Sequence, residues 1–239
     1  MHARPENQPA ADEVVVAEEH PSLRRTFEEQ LQTAKDDVLR LGAMVEAQLQ
    51  QAGEAMLNRD VELADRVRWA DANVNELQRQ VNLTIASVIA RQGPMARDLR
   101  ELLSLYHAAA ELERMGDYAT NIAKLAQQLA SEPELPLFPQ IPRMEQLCRE
   151  QLRAAMRALV DVSEEAAREV CARDDEIDHL YNSVYEDAIR LMESSPERAR
   201  QATHMLFAAH HLERLGDRVT NIGEDVVFLA TGQIEDLNP

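Results

Sequence analysis

Two long series of apolar residues with the same spacing run through this chain, and that repetition leaves few folds open to it. Leu105, Ala108, Leu112, Met115, Ala119, Ile122, Ala126 and Leu129 alternate steps of three and four. That is the stripe of a helix that buries one face. One hundred residues later, Met205, Ala208, Leu212, Leu215, Val219, Ile222, Val226 and Leu229 repeat the series. Each copy follows two further helical stretches. In the first copy, Leu23, Phe27, Leu31, Ala34, Val38, Leu41, Val45, Leu49, Ala52 and Met56 mark one helix. Val67, Ala70, Val74, Leu77, Val81 and Val88 mark the next, from about Val61 to Gln92.

The breaks agree with this reading. Asn58 and Asp60 interrupt the first helix, and Gly93-Pro94 stops the second. Residues 131–142, SEPELPLFPQIP, carry four prolines in twelve positions and cannot continue a helix. The second copy predicts a helix from about Arg143 to Ala172, a restart at Asp174 running to about Glu193, and a last helix ending at Ala230 and closed by Gly232. A helix with one apolar stripe must bury it against another. The chain is therefore expected to be all-α, a tandem pair of antiparallel three-helix bundles with six long helices. Residues 1–20 are expected to form a disordered acidic tail, 21–130 the first unit, 131–142 a linker, 143–232 the second unit and 233–239 a tail.

Composition narrows the function classes. Only 4% of residues are aromatic and seven are glycine, which favours helix over sheet. A net charge of −18 repels nucleic acid. Cys148 and Cys171 are too few for a disulfide framework. The N-terminal twenty residues have no apolar stretch of signal-peptide length, and no segment is apolar enough to span a membrane. A cytoplasmic protein is expected.

The last helix of each unit carries a repeated phrase, LERMGDYATNI at 112–122 and LERLGDRVTNI at 212–222. On a helix Glu113, Asp117 and Asn121 form one polar stripe, as do Glu213, Asp217 and Asn221. With Leu112 and Met115 on the core seam, the stripe is expected to face outward. Gly116 and Gly216 sit between the acids, at a cost of about 1 kcal/mol each relative to alanine. A bare backbone admits a neighbouring helix or a bulky ligand, and the flanking carboxylates favour the ligand. The middle helix of each unit adds Asp71, Asn75 and Gln78, and Asp174, Asp178 and Tyr181. Hard oxygen donors at that density suit Mg²⁺, Ca²⁺, Mn²⁺ or iron. A solvated helix face, partly neutralised by Arg114 and Arg214, is the plainer alternative.

Catalysis finds less support. A di-iron carboxylate bundle needs two Glu-x-x-His motifs, and only Glu176-x-x-His179 has that spacing. His107, His210 and His211 read as surface or boundary residues, and Trp69 and the methionines as packing. No nucleotide-binding loop or nucleophile elbow is present. No catalytic residue is assigned, and a helical carboxylate-bridged metal enzyme is the alternative reading.

The doubled Glu-Arg-[Met/Leu]-Gly-Asp phrase followed by Asn, in a doubled three-helix unit, resembles the PhoU family of phosphate-uptake regulators. HPSLRRTFEEQL, RDLRELLSL and GEDVVFLATG extend the likeness over about residues 20–235. The resemblance implies a cytoplasmic, often dimeric protein that represses the phosphate-starvation response when phosphate is plentiful. It implies an adaptor between the ATPase subunit of the phosphate ABC transporter and a membrane sensor histidine kinase, reaching the membrane only through those partners. It also implies metal, iron or zinc in some members and manganese or magnesium in others, at Glu113, Asp117, Glu213 and Asp217. Asn121 and Asn221 lie adjacent, and Asp71 with Asn75 and Asp174 with Asp178 stand opposite. Asn75 is found where the second unit has Asp178, and Gln78 where the resemblance implies glutamate in many relatives. Both reduce charge in the first unit, so the second is expected to bind a cation more tightly.

Overall fold

The computed structural model describes residues 21–237, with side chains from residue 24 onward. The expected acidic tail at 1–20, the side chain of Leu23 and the last two residues lie outside the described residues. The described chain is helical: α1 (Pro21–Asn58), α2 (Val61–Gln92), α3 (Ala96–Ala130), α4 (Gln140–Asp161), α5 (Glu164–Cys171), α6 (Asp174–Ser194), a single 3₁₀ turn (Pro196–Arg198) and α7 (Ala199–Thr231). α1, α2 and α3 form one bundle, and α4, α5, α6 and α7 the other. Apart from Leu23, every residue of the four apolar series is buried except Ala70, which is half-buried.

The expected helix over 143–172 is divided at Val162-Ser163. Val162 adopts the left-handed conformation (φ 50°) and ends α4, and the Ser163 hydroxyl then accepts from the Ala166 amide at 3.2 Å to start α5. The first unit turns in the same way. Arg59 is left-handed (φ 55°), and the Asp60 carboxylate accepts from the Leu63 amide at 2.9 Å to start α2. The two turns are 103 positions apart, the same offset that separates Asp71 from Asp174. α5 and α6 together therefore fill the place of α2, and the six expected rods stand with one of them interrupted at Ala172-Arg173. α4 begins at Gln140, because Pro142 falls in its first turn, where a missing N–H costs nothing.

The Pro-rich segment is clasped between the two units. Arg59 donates to the carbonyls of Ala130 and Glu132, and the Gln201 amide donates to the Pro133 carbonyl.

Three helices would cover α3 on two sides. Here α7 covers a third, so α3 buries Ser104 and Glu111 as well as its main seam, while Gly116 and Thr120 face α2. The two helices run antiparallel. Ser104 donates to the Asp225 carbonyl at 3.2 Å, Arg218 to Glu111 at 3.3 Å, and the Tyr118 and His211 rings stack at 5.8 Å. A half-turn about an axis between α3 and α7 thus exchanges the units. α1 and α4 meet beside them, with Arg149 donating to Gln50 and Arg153 to Glu46. One continuous apolar core spans both bundles. Trp69 is 82% exposed on α2, so its expected packing role is corrected, and Met95 is exposed too. Cys148 and Cys171 are free and buried, their thiols donating to the carbonyls of Leu212 and Thr220. No described helix is long and apolar enough to cross a membrane.

The inter-unit contact has a charged centre. Glu111 is buried on α3 and accepts from Arg218 and from Asn221 (3.1 Å), with His107 Nε2 at 3.6 Å. Removing the carboxylate strands a largely buried guanidinium. Glu111→Ala is expected to lower the unfolding free energy by about 3 kcal/mol, and adding Arg218→Ala to recover part of it, as measured by urea unfolding.

Candidate metal centres

Each unit forms a groove where its middle and last helices cross antiparallel. In the second unit the stripes Asp174/Asp178/Tyr181 on α6 and Asp217/Glu213/His210 on α7 face each other. One end is fixed by Asp174, whose Oδ1 would lie only 2.6 Å from a Cβ built on Gly216, with Ile177 Cδ1 at 3.1 Å. The other end is fixed by the rings of Tyr181 and His210, 5.9 Å apart. In the first unit Asp71 and Val74 come down on Gly116, where a Cβ would meet Val74 Cγ1 and Gln48 Oε1 at 3.2 Å. The glycines therefore admit the neighbouring helix and its carboxylate, which corrects the expectation that they make room for a ligand. The acidic stripes are likewise not simply outward. They line the seam between two helices, and most of their members are half-buried.

Burial and mutual repulsion set the electrostatics. Asp174 is 2% exposed. Burial first, then Asp178, Asp217 and Glu213, push its carboxyl up to about 7. Asp178 and Glu213 are also raised, each by burial and then by Asp217. In the first unit Glu113 is raised by burial, Asp117 and Asp71, and Asp117 by burial and Asp71. These perturbations place four carboxylates together in the second unit and three in the first.

Other members of the predicted set are engaged elsewhere. Asp71 Oδ1 accepts from the Thr120 hydroxyl at 3.1 Å, and the exposed Asn75 amide donates to Asp71 at 3.4 Å. The Asn121 side-chain oxygen accepts from Lys124 at 3.0 Å. Asn221 points across the unit boundary to Glu111 and does not join its groove. Arg214 holds Asp217 at 2.6 Å and reaches the Tyr118 hydroxyl. Glu176 pairs with Arg143 at 2.9 Å, and the exposed His179 ring contacts the Asp175 carbonyl, so the single Glu-x-x-His lies outside the groove.

Among the described residues, no three His, Cys, Asp or Glu side chains converge tightly enough to hold an ion as they stand. The donor chemistry nonetheless fits a hard cation. Like charges gathered in one groove favour a neutralising ion, and the shielded Glu213 Oε2 takes no hydrogen bond. Thr120, which orients Asp71, escaped the sequence reading, and His210 was placed there among surface or boundary residues; Arg214, expected to neutralise part of the stripe, holds Asp217. The spacing of His210, three before Glu213 and seven before Asp217, places it on the same stripe.

A doubled three-helix all-α protein is a recognisable fold class, and this chain shares it with proteins of known structure. The PhoU domain family profile matches residues 38–126 and 141–226. The phosphate-specific transport system accessory protein PhoU homolog of Clostridium acetobutylicum is 32% identical over 216 residues, 90% of this chain and 99% of that protein. The crystal structure of the phosphate transport system regulatory protein PhoU from Streptococcus pneumoniae superposes with a TM-score of 0.83 at 31% identity, over 88% of this chain and 99% of that one. PhoU from Pseudomonas aeruginosa gives the same TM-score at 29% identity, over 87% and 100%. The chain belongs to the PhoU family.

The high pKa of Asp174 has a defined pH consequence. Between the unfolded value near 3.9 and the folded value near 7, the folded state holds a proton that the unfolded state lacks. Metal-free protein is therefore expected to gain roughly 2–4 kcal/mol of stability from this group on going from pH 8 to pH 5. Urea unfolding of Asp174→Asn at both pH values should show most of that gain removed.

Proposed function

We propose that this chain is an accessory regulator of a phosphate-specific transport system, a non-catalytic, metal-binding adaptor. It modulates phosphate uptake and represses the phosphate-starvation response. Its partners are the ATPase subunit of the phosphate ABC transporter and a sensor histidine kinase. It works in the cytoplasm as a homodimer and meets the membrane only through those partners. The observation that carries this reading is the pair of carboxylate grooves at equivalent positions in a chain of the PhoU family.

In the first unit Asp71, Glu113 and Asp117 would hold the ion, with the amides of Asn75 and Asn121 alongside. In the second, Asp174, Asp178, Glu213 and Asp217 would hold it. Bound iron, zinc, manganese or magnesium would supply positive charge to a face that is otherwise strongly acidic, which permits an anionic or acidic partner surface to approach. The chain's own residues do the positioning. Gly116 and Gly216 let the two carboxylate rows close on each other, and Thr120 orients Asp71.

Two experiments test this. Partner capture from phosphate-rich and phosphate-starved cells is expected to recover the transporter ATPase with the wild-type chain in rich medium. Asp117→Ala combined with Asp217→Ala should lose that recovery, and undiminished capture would refute the role of the grooves. Calorimetric titration of Mn²⁺ into the single variants ranks the sites. Asp117→Ala, which keeps the second groove intact, should bind about tenfold tighter than Asp217→Ala, and equal affinities would refute the ranking.

A further inference from the structure

Where α1 meets α4, away from both acidic grooves, the molecule holds a pocket of about 110 Å³. The buried Met56, Ile122, Ile141 and Leu212 line it, with the exposed Leu57 and the half-buried Leu137 of the Pro-rich segment. Both units and the segment joining them thus supply its walls. Four polar side chains complete the lining, Gln50 and Glu54 from α1 and Glu145 and Arg149 from α4.

The half-turn that exchanges the units shows why this pocket is open. α1 and α4 correspond at the offset of 103 that relates the two turns, so Gly53 matches Met156 and Glu145 matches Gly42. At the image site the Met156 side chain fills the space over Gly42, with Cε 3.1 Å from where a Cβ would stand. At the pocket the methionine's place is taken by the bare Gly53. Glu145 leans over it instead, its Cγ 2.8 Å from a Cβ built there. A greasy plug in one copy is therefore a gap beside a shielded carboxylate in the other. Arg149 Nε stands 2.6 Å from Glu145 Oε1 without the angle of a hydrogen bond, and both atoms are shielded from water. Gln50 links Arg149 (3.4 Å) to Glu54 (2.9 Å). Burial raises the Glu145 carboxyl, Arg149 opposes that rise and Glu54 adds to it. Two carboxylates against one guanidinium leave one negative charge over.

We propose that this pocket binds a small apolar molecule carrying an ammonium head, with the body against the aliphatic walls and the head between Glu54 and Glu145. Apolar pockets at the boundary between units, with a few convergent polar groups, are where small ligands are held. The volume is below the roughly 150 Å³ of a dry cavity that takes up benzene, which suits a branched aliphatic chain of about five carbons. An ammonium donates to both carboxylates and supplies the charge that the lining lacks. A carboxylate head would find only Arg149, which Glu145 and Gln50 already engage. Such a ligand touches α1 of one unit and α4 of the other, so its binding tightens the contact between them by mass action.

The test titrates the full-length chain, with a chelator present, with three probes of similar shape: 3-methylbutylamine, 3-methylbutanol and 4-methylpentanoate. The methyl resonances of Leu57, Leu137 and Ile141 are followed by NMR. The amine should shift these methyls to saturation, with a Kd about tenfold below those of the alcohol and the carboxylate. Glu54→Gln should remove that preference and leave alcohol binding unchanged. Gly53→Met combined with Glu145→Gly copies the filled image site and should abolish binding of all three probes. Leu57→Trp, which blocks the exposed side of the pocket, serves the same purpose if that double variant does not fold. Equal binding of the three probes, or a preference for the carboxylate, would overturn the assignment of the head group. Methyls that none of the probes moves, or wild-type binding by a folded blocking variant, would overturn the site itself and leave a packing gap.

Discussion

The antiparallel contact between α3 and α7 is the constraint on which the rest of this molecule is built. Each of these helices is the last of its own bundle, and the two pack along each other. That contact explains why α3 buries Ser104 and Glu111. It also explains where the two repeats differ. Glu111 and Arg218 meet at one point of the contact, and His211 and Tyr118 at its image under the half-turn. If the copies were identical, the same pair of residues would meet at both points. Divergence at 111/211 and 118/218 turns one point into an ion pair and the other into a ring stack. Two positions that vary between the repeats, 111/211 and 118/218, are thus inter-unit contacts, while Glu, Gly and Asp, which face inward to the middle helices, stay the same.

Much of this fold was legible in the residues. Heptad spacing is a direct record of which side of a helix loses water, so the seams of α1, α3 and α7 were readable residue by residue. The division of the second unit's first helix was less so, because Val162 and Ser163 lack the Gly or Pro that usually signals a stop. The clue was internal: Ser163 stands at the offset from Asp60 that relates the acidic positions, and both residues cap a helix. Trp69 was misjudged because size alone does not say which way a side chain points. The glycines were misjudged because periodicity shows that room is needed, without showing what fills it. Asn221 looked equivalent to Asn121, yet Glu111 draws it away, and that partner is 110 residues distant in sequence.

The grooves show a tension between stability and use. The four carboxylates of the second groove, the buried Asp174 among them, do nothing to hold α6 on α7, and their repulsion works against it. What offsets it is the surrounding packing, with Ile177, Val184, Leu212 and Leu215 all buried beneath. Arg214 relieves part of the strain by holding Asp217, while its reach to Tyr118 ties the second groove to the first unit. A polar site carried on three-helix walls in this way keeps its geometry through rigid rods. Loops contribute nothing to either groove.

The half-turn between the units has a consequence for stoichiometry. A docking element seated in one groove, rotated by one hundred and eighty degrees, meets the other groove with its chain direction reversed. A visitor with a single recognition surface therefore finds two berths of opposite polarity on one molecule. A visitor that is itself two-fold can fill both berths at once only if its axis coincides with the one between α3 and α7.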